Sequence, residues 1–443
     1  MGPFCVSLGK GIMQDQHEEA GSRRGGIRAW IIWGLAAVAF GYAFIHRVAP
    51  GVMVQDLMAE FALGGAMLGV LSALYFYPYV LLQVPLGAAL SHIGTRLILT
   101  GALSLAAIGS IIFGIAEGPE MAYVGRVMIG IGSSVGFLGS LALAGAWHAP
   151  DRFAFLAGFT MFFGMMSGVF GQGPLAVLVE TFGWRICMIM LGVAGAVLAV
   201  LVYGFVRNTP RARGDFQKKT SLAAAWAETK TSLSLVMRSR KVWAIAFVAA
   251  TMSGPMLTLG ALWGTPYLMV AYELKRSEAA GLVSLLLIGW AISAPLSGRI
   301  SDRMGRRKPI LVLGSAGLVV MVGLLVILPD LPLLLTISLL VMVGIFGAAM
   351  TSCFALVKEV MPDNLAGAAV GIVNSLTVAS GAVLQPIVGL VLDVTWKGEL
   401  IDGARNYLPA DYRLAFGVIL LSCILGLITA LRLPEAKTDS KAN

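Results

Sequence analysis

Residues Gly298 to Lys308 read GRISDRMGRRK. Arg299, Arg303, Arg306, Arg307 and Lys308 are basic, and Asp302 is the only acid among them. Apolar runs flank the stretch, Gly281 to Pro295 before it and Ile310 to Pro329 after it. A charged segment between two membrane-length runs belongs in a loop at the water interface, because hydrocarbon offers its charges no partners. Gly298 and Gly305 bracket this loop and suit a tight turn.

The rest of the chain agrees with a membrane setting. It has 443 residues, 58% hydrophobic and 12% charged, about half the ~25% charge of soluble domains. Several apolar stretches exceed the roughly 18 residues that mark a membrane span. In a soluble chain the net charge of +9 would suggest nucleic acid. Here the basic residues read as topology determinants, so the expected surroundings are a lipid bilayer and no nucleic acid. Cys5, Cys187, Cys353 and Cys423 follow no metal spacing or pairing pattern, and three of them lie in apolar runs. No phosphate-binding Walker loop, nucleophile–base constellation or metal set is present. Neither an enzyme nor an ATP-driven pump is expected, and no cofactor or metal.

The apolar runs predict twelve spans: Trp30–Val54, Met67–Leu90, Leu97–Ala116, Met121–Trp147, Phe153–Leu178 and Ile186–Val206, then Val242–Val270, Ala279–Leu296, Ile310–Leu328, Leu333–Val357, Ala366–Leu392 and Leu414–Leu431. The expected organisation is a tail at 1–29, a six-helix bundle at 30–206, a basic central loop at 207–241, a second bundle at 242–431 and a tail at 432–443. Met1 to Gly26 is polar, its apolar stretch is too short for a signal peptide, and Met13 is an alternative start. If both termini and the central loop share one side, the other side carries only Arg185, Lys275, Arg276, Lys397, Arg405 and Arg413 of the 32 Lys and Arg residues. Arg47 and Arg126 fall inside spans, and the remaining 24 lie on the side of the termini. That bias predicts cytoplasmic termini in a multi-pass bacterial inner-membrane protein. The 395–413 loop on the other side either gates or connects.

The halves also echo each other. Pro85-Leu86-Gly87 opens a degenerate copy of the charged loop, GAALSHIGTR, and Pro295-Leu296-Ser297-Gly298 opens the full one. Repeats of about half a chain mark transporters built from two related bundles. The order G-x-x-x-D-R-x-G-R-R resembles the loop signature of the major facilitator superfamily, secondary transporters of twelve helices. That resemblance implies an all-α membrane protein of two pseudo-symmetric six-helix bundles. It also implies a conformational-switch role for Gly298, Asp302, Arg303, Gly305, Arg306 and Arg307. Asp302 is expected to accept hydrogen bonds from a helix end or a nearby arginine, with Arg306 and Arg307 facing lipid phosphates or neighbouring helix ends. A plain topology loop is the alternative. The first copy has Ser91 in place of the acid.

Arginines in a bilayer need a reason, since a central one costs about 2.5–3.5 kcal/mol on insertion scales. Arg47 lies in the first span (FIHRVAP) and Arg126 in the fourth (YVGRVMIGIG). The resemblance puts spans 1, 4, 7 and 10 around a central cavity, so both arginines would face one solute. No Asp or Glu is deep enough in a predicted span to neutralise them, which favours an anion. Snorkelling to the interface is the competing reading. The R-x-x-x-G-x-G around Arg126 also resembles a fourth-helix motif of the superfamily, shared with proton-coupled exporters. The two arginines are similar to those of the anion:cation symporter branch, but the neighbouring acids are missing, with His46 and Ser133 in their places. His46 is the remaining proton-coupling candidate; antiport with a counter-anion, or uniport, is the alternative.

Tyr75, Tyr79, Gln172, Trp263, Tyr267, Asn374 and Gln385 complete the candidate substrate contacts, each with helix-to-helix bonding as its alternative. The expected protein is a monomeric secondary transporter of a small organic anion: a carboxylate, sugar acid or phosphate ester. An exporter of drugs and a transporter-like ligand sensor are the other readings.

Overall fold

A computed structural model describes residues 26–210 and 222–435 of the chain. The expected start at Met13, Cys5, part of the basic central loop, the tail from 436 and the Ser91 side chain lie outside the described residues.

Twelve helical segments are long and apolar enough to cross a membrane. Spans 1 to 6 are Ile27–Val52, Gly65–Gln83, Thr95–Gly114, Pro119–Trp147, Pro150–Phe182 and Trp184–Phe205. Spans 7 to 12 are Arg240–Tyr272, Arg276–Met304, Lys308–Ile327, Leu333–Val360, Leu365–Thr395 and Pro409–Arg432. The protein is therefore an all-α membrane protein with two six-helix halves. The apolar side chains left exposed, among them Val200, Leu334 and Val394, suit a lipid solvent.

Prolines decide where the helices break. Span 1 runs as an α-helix from Ile27 to Val48 and tightens into a 3-10 turn at Ala49–Val52, where Pro50 has no N–H to donate. Span 5 breaks at Gly171 and Gln172, just before Pro174. Span 7, expected to bend at Pro255 and Pro266, widens between them into a π-helical segment, Met256–Trp263, an arrangement common at functional sites.

Two regions were not foreseen. The residues after Val52 do not prolong span 1; Val54–Phe61 forms a separate amphipathic helix. Its Val54, Leu57, Met58 and Phe61 are buried at helical spacing, while Asp56 and Glu60 stay on the wetter side. The 395–413 loop folds into a small antiparallel hairpin, Leu400–Ile401 with Ala404–Arg405, that lies against this helix.

Span 2 against span 11 and span 5 against span 8 form the main seams between the halves. At the first seam the backbones nearly touch. A Cβ on Gly69 would come within 2.6 Å of the Gln385 carbonyl oxygen, and one on Gly65 within 2.7 Å of that of Gly389. Small residues at such crossings let membrane helices approach closely.

Candidate substrate site

A cavity of about 690 Å3 lies between the halves. Its wall runs from Phe44 and Arg47 to Gly87, Ser232, Lys358 and Gly367, the last four toward the face that carries the termini. The described helix Leu222–Met237 of the central segment touches spans 2 and 11 at that end. Arg47, Tyr79, Gln83 and Asn374 are polar members of the wall, and among the described residues no lining side chain is acidic.

Arg47 sits in the last turn of the span 1 helix. Its guanidinium carbon lies 4.4 Å from the ring centre of Phe44, 5.4 Å from Tyr79 and 5.8 Å from Tyr75. Such ring faces stabilise a cation by about 0.5–2 kcal/mol each without neutralising it. No carboxylate pairs with it among the described residues, and its buried Nε has no protein hydrogen-bond partner. An anion in the cavity would find a desolvated donor fork already positioned.

Arg126 is 1% exposed and does not line the cavity. Its Nη1 donates to the His46 carbonyl oxygen at 2.6 Å, and its guanidinium carbon lies 5.0 Å from the Tyr75 ring centre. Nε and Nη2 are buried without protein partners. The cation thus caps the carbonyl end of the helix that presents Arg47, where the backbone partial charge is negative. Gly130, one turn on, lets span 4 meet span 2; a Cβ there would lie 2.9 Å from the Tyr75 Cα. This close approach brings Tyr75 against Arg126, and the Tyr75 hydroxyl donates to the Ala43 carbonyl at 2.9 Å. Tyr75 and Tyr79 stack with ring centres 6.1 Å apart.

The other expected contacts divide. Tyr79 lines the cavity beside Arg47, and Asn374 lines its C-half wall. His46 is fully buried against Tyr42, with ring centres 4.6 Å apart, and lies off the cavity wall. Gln172, Trp263, Tyr267 and Gln385 also lie off the wall. Gln172 donates to the Gly260 carbonyl and accepts from Thr265, so it ties span 5 to span 7. Gln385 donates to the Leu257 carbonyl, and Trp263 donates to the Gln385 carbonyl. Tyr267 is buried against Tyr412 and Phe416. Gln172, Trp263 and Gln385 thus bond neighbouring helices, and Tyr267 packs its ring against span 12.

The face opposite the termini is where the halves are fastened together. Asp393 at the end of span 11 accepts from the Gly65 and Ala66 N–H groups at 2.7 and 2.9 Å, capping the start of span 2. Arg405 and the Tyr407 hydroxyl also donate to Asp393, and the Tyr407 oxygen accepts from Gly65 N–H at 2.9 Å. Burial first, then the bond to Asp393, push the Tyr407 phenol above its ordinary pKa, so it stays a donor. Arg276 pairs with Asp56 at 2.6 Å, and Glu180 accepts from Ser277 N–H at 2.8 Å. No motif announced Asp393 and Tyr407.

The charged loop lies on the other face. Arg307 is 9% exposed and reaches Asp302, Ser301 and Glu359 at the end of span 10. Burial alone would lower its pKa, but the bonds to Asp302 and Glu359 leave it above the ordinary arginine value. Arg306 meets Glu435 at an exposed 2.7 Å contact. Gly305 takes a left-handed φ of 60° at the end of the helix, the conformation glycine adopts without strain. Arg303 carries the last helical turn and Gly298 stands one turn before Asp302.

The model of the Major Facilitator Superfamily matches residues 32–386. A protein of Cupriavidus necator named for sulfoacetate transport is 24% identical over 66% of this chain and 69% of its own length. One of Agrobacterium vitis named for tartrate transport is 24% identical over 90% of each. Among solved structures, a bacterial homologue of the human lysosomal transporter Spinster, inward-facing and occupied, superposes with a TM-score of 0.72 at 16% identity, covering 91% of this chain and 96% of that one. With twelve spans, two six-helix halves and a family match over most of its length, the chain belongs to the Major Facilitator Superfamily.

Proposed function

We propose that this protein carries a small organic anion across a bacterial inner membrane by alternating access, with its termini in the cytoplasm. One observation carries the reading: the Arg47 guanidinium is desolvated on the cavity wall, held by aromatic faces and unpaired with any carboxylate among the described residues. A buried unpaired charge is costly and persists where a ligand uses it. The relatives named for sulfoacetate and tartrate transport are in keeping with an anionic solute. A cavity with cations and no acid among its described lining is a poor trap for the lipophilic cations that a drug exporter handles.

Arg47 is the substrate contact, Tyr79 and Asn374 complete the polar end, and Arg126 positions Arg47 through the His46 carbonyl. The Asp393 cap and the Gln172 bridge hold the face opposite the termini shut, while the Arg307 loop steadies the other face. Exchange for a counter-anion fits this wall, because His46 lies off it. Counterflow in proteoliposomes tests the reading. Uptake of a labelled anion, accelerated by internal anion and lost in Arg47→Ala protein that still inserts, is the expected result. Undiminished uptake by that variant would refute the site. Ligand binding without counterflow would make the protein a sensor.

A further inference from the structure

We infer that the solute is an amphipathic aryl anion, a carboxylate or sulfonate on a largely unhydroxylated aromatic body, rather than a polyhydroxy acid. This rests on the anion reading above and narrows it. The cavity divides by chemistry. Its charged and amide donors are few: Arg47 and Gln83, whose Nε2 has no protein partner, stand with Tyr79 on the N-half wall, and Asn374 and Lys358 on the C-half wall. Beyond them the N-half wall is Phe40, Phe137 and Met165, facing Met256, Trp290 and Phe354 of the C-half.

The hydroxyls on the C-half wall do not relieve this. Ser253 donates to the Thr377 carbonyl at 3.0 Å, Thr377 to the Val373 carbonyl at 2.8 Å and Thr351 to the Ala348 carbonyl at 3.0 Å. Their protons are taken up by backbone carbonyls, of their own helix for Thr351 and Thr377 and of span 11 for Ser253. A polyol buried here would leave several hydroxyls without partners, a penalty that an aromatic body avoids. Rings and methionine sulfurs suit an aromatic ligand, and methionine adapts to its outline. The cavity, of about 690 Å3, has room for an aromatic body.

The test uses the purified full-length protein in detergent. Thermal-shift titrations compare phenylacetate and benzenesulfonate with tartrate and gluconate, and with neutral phenylacetamide. We expect the aryl anions to bind at least tenfold tighter than tartrate or gluconate, and Phe354→Ala to weaken the aryl anions at least fivefold while leaving acetate unchanged. Equal or tighter binding of tartrate or gluconate overturns the inference and leaves the anion reading intact. Phenylacetamide binding as well as phenylacetate defeats the anion reading itself. No stabilisation by either aryl anion also overturns the inference.

Discussion

Arg47 and Arg126 carry the same charge, lie in the same half and approach the same ring, Tyr75. Their surroundings separate them. Arg47 opens onto the cavity, with phenyl and tyrosine side chains and no carboxylate around its charge among the described residues. Arg126 is sealed behind Tyr75 and grips the carbonyl of the residue before Arg47. Two intramembrane arginines need not be two ligand contacts. One can meet the solute while the other holds the helix end that presents it.

Substitutions should pull the two apart. The largest effect is expected for Arg47→Ala. Losing a charge-assisted hydrogen-bond pair costs about 1.5–3 kcal/mol, roughly 10- to 150-fold in affinity, and transport should vanish. The unliganded protein should melt no lower than wild type, since removing an unpaired buried charge relieves desolvation. A substantially lower melting temperature would mean that Arg47 is structural.

Arg126→Ala should do the reverse. Removing a cation from a helix C-terminus together with its hydrogen bond should destabilise the protein by about 1–2 kcal/mol. Affinity should fall by less than in Arg47→Ala, and Arg126→Lys should recover most of the stability. Equal losses of affinity from both alanine variants, at unchanged stability, would place both guanidinium groups on the solute.

A similar contrast holds between the two faces. Asp393→Asn leaves the shape of the cap but removes its charge from the Arg405 pair and from the start of span 2. A loss of about 0.5–1.5 kcal/mol should shift the balance toward opening of that face. Distances between spin labels at Ala62 and Asp402 would report it as a broader, longer distribution; an unchanged distribution would remove the cap from the gating account.

Adjacent residues of the charged loop differ in the same way, and the smallest effect of all is expected at Arg306. Arg307→Ala removes a buried guanidinium from a partly buried pair with Glu359 and from an exposed Asp302, and about 1–3 kcal/mol is expected. Arg306→Ala removes an exposed pair with Glu435, and at most about 1 kcal/mol should be lost. Chemical denaturation of both variants ranks them; a larger loss at Arg306 would mean the burial difference does not govern the loop.

Hydropathy made the twelve spans readable, because only a run of that length crosses hydrocarbon. The internal echo at Gly87 and Gly298 made the two halves readable. Arg47 stood out because a charge in a span demands a reason. Gln172 and Gln385 looked no different from Asn374 in sequence, since an amide hydrogen-bonds a solute or a neighbouring helix equally well; only the packing of span 7 shows the helix bonds they make. Phe137, Trp290 and Phe354 gave no signal, because an apolar residue in a span faces lipid, helix or cavity without changing the pattern. The Asp393 cap joins residues more than 320 positions apart and follows no spacing rule.

The most direct test takes the anion that most stabilises the wild-type protein and compares its binding with that of its neutral amide, in wild type and in Arg47→Gln. The account predicts at least a tenfold preference for the acid in wild type and none in the variant. A preference that survives in Arg47→Gln would contradict it.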